Sequence, residues 1–328
     1  MKHAPNTLSL VADIGGTNTR VALADGHQVL ENTTRKFRNA DFADLETVLR
    51  KFLADEGKID TKAACVAVAG PVQDGKATLT NLNWTIDEAT LANATQAETV
   101  AILNDLQAQG HALGHLDPAN VRPVLKGGEP EFHATKLVVG VGTGFNATPV
   151  FETSSRRLAA PSESGHINLP IRTEEDLHLS TYLTEQHGFA AVEDVLSGRG
   201  IEAVYGFFSQ GVTAPKRPSA EEIMRTVAIG DDPVADKTAK LLTRVLGTVC
   251  GNLALVQLPF GGIYLVGGVS RALAPYLAKY DFEAAFNDKG RFESFMKTFP
   301  VHVIEDDYAA LIGSANYLVD IMKDENPT

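Results

Sequence analysis

The chain has 328 residues, of which 44% are hydrophobic, and a formal net charge of −12. A chain of this length can form two domains with sizeable hydrophobic cores. The acidic balance argues against a surface for nucleic acid or anionic membranes, because such polyanions are bound by clustered Lys and Arg.

The first third of the chain alternates strand-like apolar runs with amphipathic stretches, which is typical of an α/β protein with mixed sheets. The predicted strands are Leu8–Asp13, Thr19–Asp25, Gln28–Arg35, Ala63–Ala69 and Thr99–Leu103, and a turn and strand are predicted around Asp74–Asn81. Predicted helices run from Asp41 to about Glu56 and onward from Ile86. We expect these elements to form one compact unit.

The first two strands are joined by a tight turn that no helix follows, Asp13-Ile-Gly-Gly-Thr-Asn18. Gly15 and Gly16 lack Cβ atoms and can adopt positive φ, so that backbone N–H groups converge on an anion. Thr17 and Asn18 add neutral donors, and Asp13 at the strand end is placed to hold Mg²⁺ directly or through water. The turn is therefore a candidate phosphate-binding hairpin, and the alternative is an ordinary β-turn.

The second block begins near the Gly-Gly pair of 126–129 and becomes mostly helical from Glu174. Its predicted strands are Leu137–Gly142, Ala147–Thr153 and Gly262–Val266. We expect the helical part to be interrupted at Ser197–Gly200 and by a proline-bearing loop at Thr213–Pro218. The last strand leads into another glycine turn, Gly267-Gly268.

A second strand–turn–strand segment contains Gly142-Thr143-Gly144. Two such hairpins facing each other would clamp a polyphosphate. The segment also matches the dinucleotide fingerprint Gly-x-Gly-x-x-Ala, but that motif requires a helix directly after the turn. The following residues look extended and include Pro149, so we disfavour a dinucleotide site.

The segment Gly70–Ala77 matches a Walker A loop at every position but the last. Ala77 has no hydroxyl for Mg²⁺, Pro71 has no N–H to donate, and Asp74 would repel phosphates. We predict an Asp-Gly turn between two strands instead.

His111 and His115 are four residues apart on a predicted helix, which is the spacing of a zinc-protease motif. The motif needs Glu after the first His, and Ala112 stands there. We expect a solvated or partly packed helix face.

Asn104-Asp105 follows the apolar strand and precedes a helix. A carboxylate at such a strand end is well placed to take a proton from a substrate hydroxyl. The alternative is that Asp105 only caps the helix.

Further on, Glu163 and His166 lie three residues apart beside a glycine, and Glu193 precedes a Leu-Ser-Gly-Arg-Gly loop. Carboxylates and imidazole on loops can hold a polyol through several hydrogen bonds each. Each residue taken singly is more often a cap or a member of a surface ion pair.

The two cysteines, Cys65 and Cys250, lie far apart within apolar patterns. This arrangement indicates buried thiols in a reducing compartment rather than a disulfide or a zinc site. The N-terminal residues show no signal-peptide pattern, and no run of about 18 apolar residues suggests a membrane span. We therefore expect a cytoplasmic protein that binds neither nucleic acid nor membrane.

Taken together, these motifs resemble those of the bacterial glucokinases in the hexokinase, actin and Hsp70 superfamily. The matching segments are ADIGGTNTRVAL, VAVAGPV, TLTNLNW, ILNDLQA, VGVGTGF, PSESGHI, EDVLSGRGI, GNLAL with FGGIYLVGGV, and AAFNDKGRFESF. They occur in the same order over nearly the whole chain. The resemblance implies an α/β, two-domain actin-like ATPase fold with an interdomain cleft. The smaller domain would comprise 1–116 plus 308–328 and the larger 117–307.

The resemblance also implies roles at the matching positions. Asp105 would be the general base at the sugar 6-hydroxyl. The ligands of the other sugar hydroxyls would be Asn104, Glu163, His166 and Glu193. The ATP and Mg²⁺ site would comprise Asp13, Gly15, Gly16, Thr17, Asn18, Gly142, Thr143, Gly267 and Gly268. The family further suggests a homodimer.

Four positions in three segments depart from the family pattern. Asn146 follows the bulky Phe145 where the family usually has a small residue, Ser164 stands where it commonly has Gly, and Leu106-Gln107 replaces an aromatic-led pair. These changes leave the residues that would carry out phosphoryl transfer in place, but they weaken the prediction that the substrate is glucose. The leading hypothesis is an ATP-dependent glucose kinase, and the alternatives are a kinase for another hexose or a sugar-binding sensor that has lost turnover.

Overall fold

A computed structural model describes residues 6–79, 82, 84–131, 133–153, 156–210 and 218–325. The chain divides into two compact units. The first comprises Met1–Asp117, Thr153–Pro161 and Asp306–Thr328, and the second comprises Pro118–Glu152 and Ser162–Glu305.

The strands are, in chain order, β1 (Leu8–Ile14), β2 (Asn18–Asp25), β3 (Gln28–Val29), β4 (Arg35–Arg38), β5 (Thr61–Val68), β6 (Val72–Gln73), β7 (Lys76–Thr78), β8 (Thr85–Asp87), β9 (Thr99–Asn104), β10 (Val121–Leu125), β11 (Lys136–Val141), β12 (Phe145–Glu152), β13 (Arg157–Ala159), β14 (Ile263–Val266) and β15 (Val301–Ile304). The α-helices are α1 (Leu45–Asp55), α2 (Glu88–Thr95), α3 (Asp105–Ala112), α4 (Glu174–His187), α5 (Gly198–Phe208), α6 (Ala220–Ile229), α7 (Pro233–Gln257), α8 (Gly268–Leu273), α9 (Phe282–Asn287), α10 (Glu293–Met296) and α11 (Ala309–Glu325).

The first unit is built on a sheet with the strand order β3-β2-β1-β5-β9, in which β4 also pairs with β2. β1 and β2 form an antiparallel hairpin, whereas β1, β5 and β9 are parallel. β5 is buried along its length apart from Lys62, as expected for a parallel strand covered on both faces. Helices α1 and α2 contribute to the core on one face, and α3 and α11 contribute to the core on the other. This packing fixes the carboxyl ends of β1 and β9.

The second unit contains neighbouring strands in the order β10-β15-β14-β11-β12. β11 and β14 are parallel, and β11 and β12 form an antiparallel hairpin. The 25-residue α7 is long and apolar enough to cross a membrane, but two thirds of its most apolar stretch is buried inside the protein. It is the central core helix of this unit, and Cys250 lies on it.

Most predicted elements are confirmed to within a few residues, but the strand expected at Gln28–Arg35 is wrong. The chain forms β3, then a short 3-10 turn at Glu31–Thr33, then β4. The Thr33 hydroxyl accepts from the Leu23 backbone N–H at 2.9 Å and donates to the Leu30 carbonyl. A side chain therefore takes the place of strand pairing at this point.

Helix starts also differ from the predictions. Ile86 lies in β8 rather than in a helix, and the helix begins at Glu88 because Asp87 caps it by accepting from the Thr90 N–H. The first helix begins at Leu45 instead of Asp41. The helical region is interrupted between His187 and Gly198 rather than at Ser197–Gly200, because Ser197 caps α5. Parts of the predicted loop 213–218 and of the predicted turn and strand around 74–81 lie outside the described residues.

The prediction that both cysteines are buried thiols is confirmed. Cys65 in β5 and Cys250 in α7 are buried and free. Burial raises the pKa of each thiol to about 12, so neither cysteine forms the reactive thiolate near neutral pH.

Candidate active site

Asp13 and Asp105 lie at the carboxyl ends of β1 and β9, on either side of β5. The register pairs Ile14 with Val68, and Val68 with Asn104. Neighbouring strands are about 4.8 Å apart, so the two strand ends are separated by roughly 10 Å. The sheet therefore brings the predicted metal ligand and the predicted base to one edge of the first unit.

The environment of Asp105 suits a proton acceptor. Its pKa is raised from 3.8 to about 7, first by burial and then by the negative charge of Asp13. Hydrogen bonds from the Leu106 N–H and the Asn104 side chain only partly oppose this shift. A carboxyl group with this pKa is present near neutral pH in both its proton-accepting and its protonated form.

Asp13 is itself partly buried, and burial raises its pKa from the ordinary value. An ion pair with Arg20 opposes this effect, with Asp13 Oδ2 at 3.3 Å from Arg20 Nη1. The two residues are directly opposed on the β1–β2 hairpin. Arg20 thus favours the charged form of the carboxylate that a cation would need.

The structure assigns the helix cap to Asn104 rather than to Asp105. Asn104 Oδ1 accepts from the Leu106 N–H, and Gln107 Oε1 accepts from the Asn104 N–H, forming a capping box. Asn104 Nδ2 donates to the Gly70 carbonyl at 3.0 Å. Asp105 is the first residue of α3, where a carboxylate is favoured by the helix dipole. Capping by Asn104 leaves Asp105 available for chemistry.

The turn between β1 and β2 is closed by a hydrogen bond from the Gly15 N–H to the Asn18 carbonyl, at 3.0 Å. Gly15 does not adopt positive φ, and an added Cβ would lie 3.5 Å from Asn18 O. Gly16 does not adopt positive φ either, so the positive φ expected at these two glycines is wrong. Gly16 and Thr17 are exposed at the tip of the turn, as a ligand-binding loop requires.

Asn39 is a site residue that the sequence did not reveal. It is 2% exposed, donates from Nδ2 to Gly15 O at 2.8 Å and accepts from the Thr19 hydroxyl at 2.8 Å. Its backbone N–H donates to Thr17 O at 2.9 Å. Asn39 thus holds the β1–β2 hairpin in place, and an isolated Asn in a polar stretch gave no signal of this.

The second hairpin lies between β11 and β12. Its turn is closed by a hydrogen bond from the Gly142 N–H to Gly144 O, and the Gly198 N–H donates to Gly142 O. Gly267 has a φ of +97°, and a Cβ there would lie 2.4 Å from Val141 O. Only glycine fits both the backbone angle and this close approach. Gly142, Thr143, Gly267 and Gly268 are therefore grouped at the ends of β11 and β14.

The predicted sugar ligands of the second unit are also brought together. The Glu193 N–H donates to Gly165 O at 2.9 Å, and Glu193 Oε2 accepts from the Phe145 N–H. A Cβ on Gly165 would lie 2.2 Å from Phe145 O, and one on Gly144 would lie 2.5 Å from Glu193 Oε2. These close approaches seat the Glu193 carboxylate against the second hairpin.

Glu163 and His166 flank Gly165 and are exposed to solvent. They open and close a short 3-10 turn in which the His166 N–H donates to Glu163 O. Glu193 also pairs with Arg199, with Oε1 at 3.1 Å from Nη2. The candidate residues form two sets, one in each unit.

The segments that resemble a dinucleotide fingerprint and a Walker A loop have the predicted secondary structure. The turn at Gly142–Gly144 leads into strand β12 rather than a helix. Asp74 and Gly75, with φ of +50° and +67°, form the turn between β6 and β7. Among the described residues, no cluster of three or more His, Cys, Asp or Glu could hold a metal ion.

The helix face with the two histidines is partly packed. His111 is buried, and His115 is exposed beyond the end of α3. Burial, assisted by Arg157, lowers the pKa of His111 to about 4, so it is neutral near pH 7.

Comparison with known proteins connects these features. A family model described as "Glucokinase" matches residues 10–321. A glucokinase from Rhizobium etli is 31% identical over 310 residues, covering 94% of this chain and 90% of the relative. The crystal structure of a glucokinase from an Antarctic psychrotroph has a TM-score of 0.84 and 32% identity, covering 95% of this chain and 98% of that chain.

A more distant structure is that of a ROK family glucokinase from Streptomyces griseus, solved in complex with glucose and AMPPNP. It is 19% identical, with a TM-score of 0.63 over 94% of this chain and 98% of that chain. At this identity the likeness shows the fold alone. The predicted α/β fold of the actin-like sugar kinases is confirmed.

Proposed function

The chain belongs to the glucokinase family, and we propose that it transfers the γ-phosphoryl group of ATP to the 6-hydroxyl of glucose. The products are glucose 6-phosphate, ADP and a proton. The observation that carries this assignment is Asp105, a carboxylate at the end of β9 whose pKa is raised to about 7 by burial and by Asp13. A sugar-binding sensor has no need of a base tuned in this way.

In the proposed mechanism, Asp105 orients the 6-hydroxyl and accepts its proton as the oxygen bonds to the γ-phosphorus. The bond between the γ-phosphorus and the β,γ-bridging oxygen breaks, and ADP leaves. Phosphoryl transfer passes through a loose transition state, so positioning and charge neutralisation contribute most of the catalysis. The elevated pKa matches Asp105 to this late proton transfer, because its conjugate acid is not too strong to form near neutral pH.

The remaining sugar hydroxyls are assigned to Asn104, Glu163, His166 and Glu193. Asn104 keeps unused hydrogen-bonding capacity, since its amide has two N–H groups and one of them donates to Gly70. Glu163 and His166 are exposed and free to meet a ligand. A carboxylate accepts hydrogen bonds from two adjacent hydroxyls, which suits a polyol.

The ATP phosphates are assigned to the two hairpin turns, with Gly15, Gly16, Thr17 and Asn18 on one and Gly142 and Thr143 on the other. Gly267 and Gly268 are assigned to the nucleoside side. The Gly15 and Gly142 N–H groups close these turns, so the N–H groups of the exposed Gly16, Thr17 and Thr143 would bind the phosphate oxygens, without a positively charged side chain. This explains how an acidic protein can hold an anionic substrate.

Asp13 would hold Mg²⁺, most simply through water, while phosphate oxygens supply further ligands. The fit rests on the donor set: Mg²⁺ in phosphoryl-transfer sites is bound through one or two carboxylates plus substrate phosphates rather than by a cage of protein ligands. Mg²⁺ in this position neutralises charge on the phosphates. We further propose a cytoplasmic homodimer that feeds glycolysis.

The experiment that tests this function is sugar-dependent ADP release from Mg-ATP by the purified protein. Glucose, mannose, fructose and N-acetylglucosamine are compared with a control without sugar. Release with glucose, and identification of glucose 6-phosphate as the product, supports the proposal. Release only with another sugar assigns a different hexose kinase, and glucose binding without release with any sugar assigns a sensor.

A further inference from the structure

Asn146, at the start of β12, is hydrogen-bonded to the segment that carries Glu163. Its Oδ1 accepts from the backbone N–H of Ser164 at 2.9 Å and lies 3.1 Å from the Ser162 hydroxyl. Its Nδ2 donates to the Ser162 carbonyl. One side chain thus holds the residue before Glu163 and the residue after it.

The two serine hydroxyls extend this network. Ser162 Oγ and Ser164 Oγ are 2.7 Å apart, and the Ser162 hydroxyl also donates to the Ala147 carbonyl on β12. Asn146 and Ser164 both depart from the family pattern, yet they contact each other directly. The two departures therefore form one structural unit rather than two independent changes.

Asn146 is itself poorly suited to bind sugar. Its Oδ1 already receives the Ser164 N–H and, at 2.8 Å, the Ala147 N–H, with the Ser162 hydroxyl within reach. A carbonyl oxygen has two lone pairs, so these donors saturate it. The network acts on the segment beside it instead.

Glu163 is exposed and has φ of −129° and ψ of +53°, a conformation outside the regular helical and extended regions. Such a backbone persists only when neighbouring contacts determine it. Asn146 supplies these contacts on both sides, and Gly165 adds one through its approach to Phe145.

We propose that Asn146 is a positioning residue for sugar binding, which holds the 162–164 segment on β12 and so sets the orientation of Glu163. This inference rests on the proposed function, because it takes Glu163 as a sugar ligand. Ser162 and Ser164 are the partners through which Asn146 acts.

The first test is the steady-state kinetics of Asn146→Ala. We expect KM for glucose to rise about tenfold, as the loss of one or two partly buried hydrogen bonds implies. KM for ATP and kcat at saturating glucose should stay within about threefold of the parent, because only the 162–164 segment is loosened. Ser164→Ala keeps its backbone N–H on Asn146 and should raise KM for glucose only about twofold.

The second test asks whether Asn146 acts through Glu163. In a Glu163→Gln background, Asn146→Ala should change the glucose Kd, measured by calorimetry, by less than about twofold. An unchanged tenfold effect in that background, or no effect of Asn146→Ala on the parent, would overturn the inference.

A matched control separates positioning from loss of stability. Asn316 is buried, its Oδ1 accepts from His27 Nδ1 at 2.6 Å and its Nδ2 donates to Ile312 O, but it lies on α11. Asn316→Ala should lower the melting temperature without changing KM for glucose. If Asn146→Ala does not fold, Asn146→Asp replaces it, because Asp keeps an oxygen that accepts from the Ser164 and Ala147 N–H groups. KM for glucose should then rise about threefold.

The outcomes also distinguish this inference from the proposed function. If the parent protein phosphorylates no sugar but binds glucose, the function fails, and the glucose Kd of the same variants still decides the role of Asn146. If the parent neither binds nor phosphorylates glucose, both fail.

Discussion

Asp13 raises the pKa of Asp105, because the two carboxyl groups follow parallel strands that flank the same central strand, β5. The coupling links the metal site to the base: the more negative charge Asp13 carries, the more firmly Asp105 holds a proton. A cation at Asp13 would weaken this effect, so bound Mg-ATP should favour the proton-accepting form of Asp105.

The pH dependence of glucose phosphorylation should report this coupling. The value of kcat/KM for glucose should rise with pH and level off above an apparent pKa near 7, the value to which Asp105 is raised. Asp13→Asn removes the negative charge and should shift the apparent pKa downward, though burial keeps it above 3.8. Steady-state rates from about pH 5.5 to about pH 9 measure both profiles. An apparent pKa that moves upward in Asp13→Asn would refute the coupling.

Stability should depend on pH at the same residue. Because the folded-state pKa of Asp105 is raised, its contribution to stability is complete below about pH 4 and is lost as pH rises through about 7. Asp105→Asn should therefore increase the free energy of unfolding at pH 8 by up to about 4 kcal/mol and change it little near pH 4. Urea unfolding of both proteins at the two pH values provides the measurement.

Asp87 supplies a control of opposite sign for that experiment. Hydrogen bonds from Thr90 lower the pKa of Asp87, so its contribution is present above the ordinary value of 3.8 and is lost as pH falls through the lowered pKa. Asp87→Asn should destabilise the protein slightly at pH 8 and not at low pH. Stabilisation by both variants at pH 8 would mean that burial at Asp105 is not the cause.

Asn39 should affect the phosphate site and not the sugar site. Asn39→Ala removes the bonds to Gly15 O and the Thr19 hydroxyl, and the loss of this buried amide should lower stability by about 1–3 kcal/mol. The loosened hairpin should raise KM for ATP several-fold while KM for glucose changes less than twofold. Thermal melts measure the change in stability, and steady-state kinetics with ATP or glucose as the varied substrate measure the two KM values. Equal effects on both KM values would assign Asn39 to overall folding alone.

Gly165 should tolerate no side chain. A Cβ at this position would lie 2.2 Å from Phe145 O, so Gly165→Ala must displace the segment between Glu163 and His166. We expect kcat/KM for glucose to fall at least tenfold. Gly198→Ala is the matched control, since its Cβ would lie 3.7 Å from Gly142 O, an ordinary contact, and its activity should stay near that of the parent. Comparable losses in both variants would contradict this account.

The sequence predicted those parts of the fold that depend on local patterns. The alternation of apolar strands with amphipathic helices was enough to predict the α/β class, and β1, β9 and β11 lie within two residues of their predicted bounds. The break between β3 and β4 was missed because it depends on Thr33, whose hydroxyl bonds to Leu23 ten residues away. A hydroxyl in a strand-like run carries no local sign of such a contact.

The site shows the same limit. The chemistry-bearing residues Asp13 and Asp105 could be chosen because each ends an apolar strand. The residues that hold the candidate site segments in place could not be predicted. Asn39 is hydrogen-bonded to Gly15, 24 positions away, and Asn146 to Ser164, 18 positions away. The two departures at Asn146 and Ser164 were visible in the sequence, but their contact was not.

The measurement that tests the central claim most directly is kcat of Asp105→Asn at saturating glucose and Mg-ATP, together with its Kd for glucose. If Asp105 is the base, kcat should fall by about 10²–10⁴-fold. The glucose Kd should stay within about threefold of the parent, because the fold and the other sugar ligands are retained. A variant that keeps more than about a tenth of the parental kcat would contradict the assignment of Asp105 as the catalytic base.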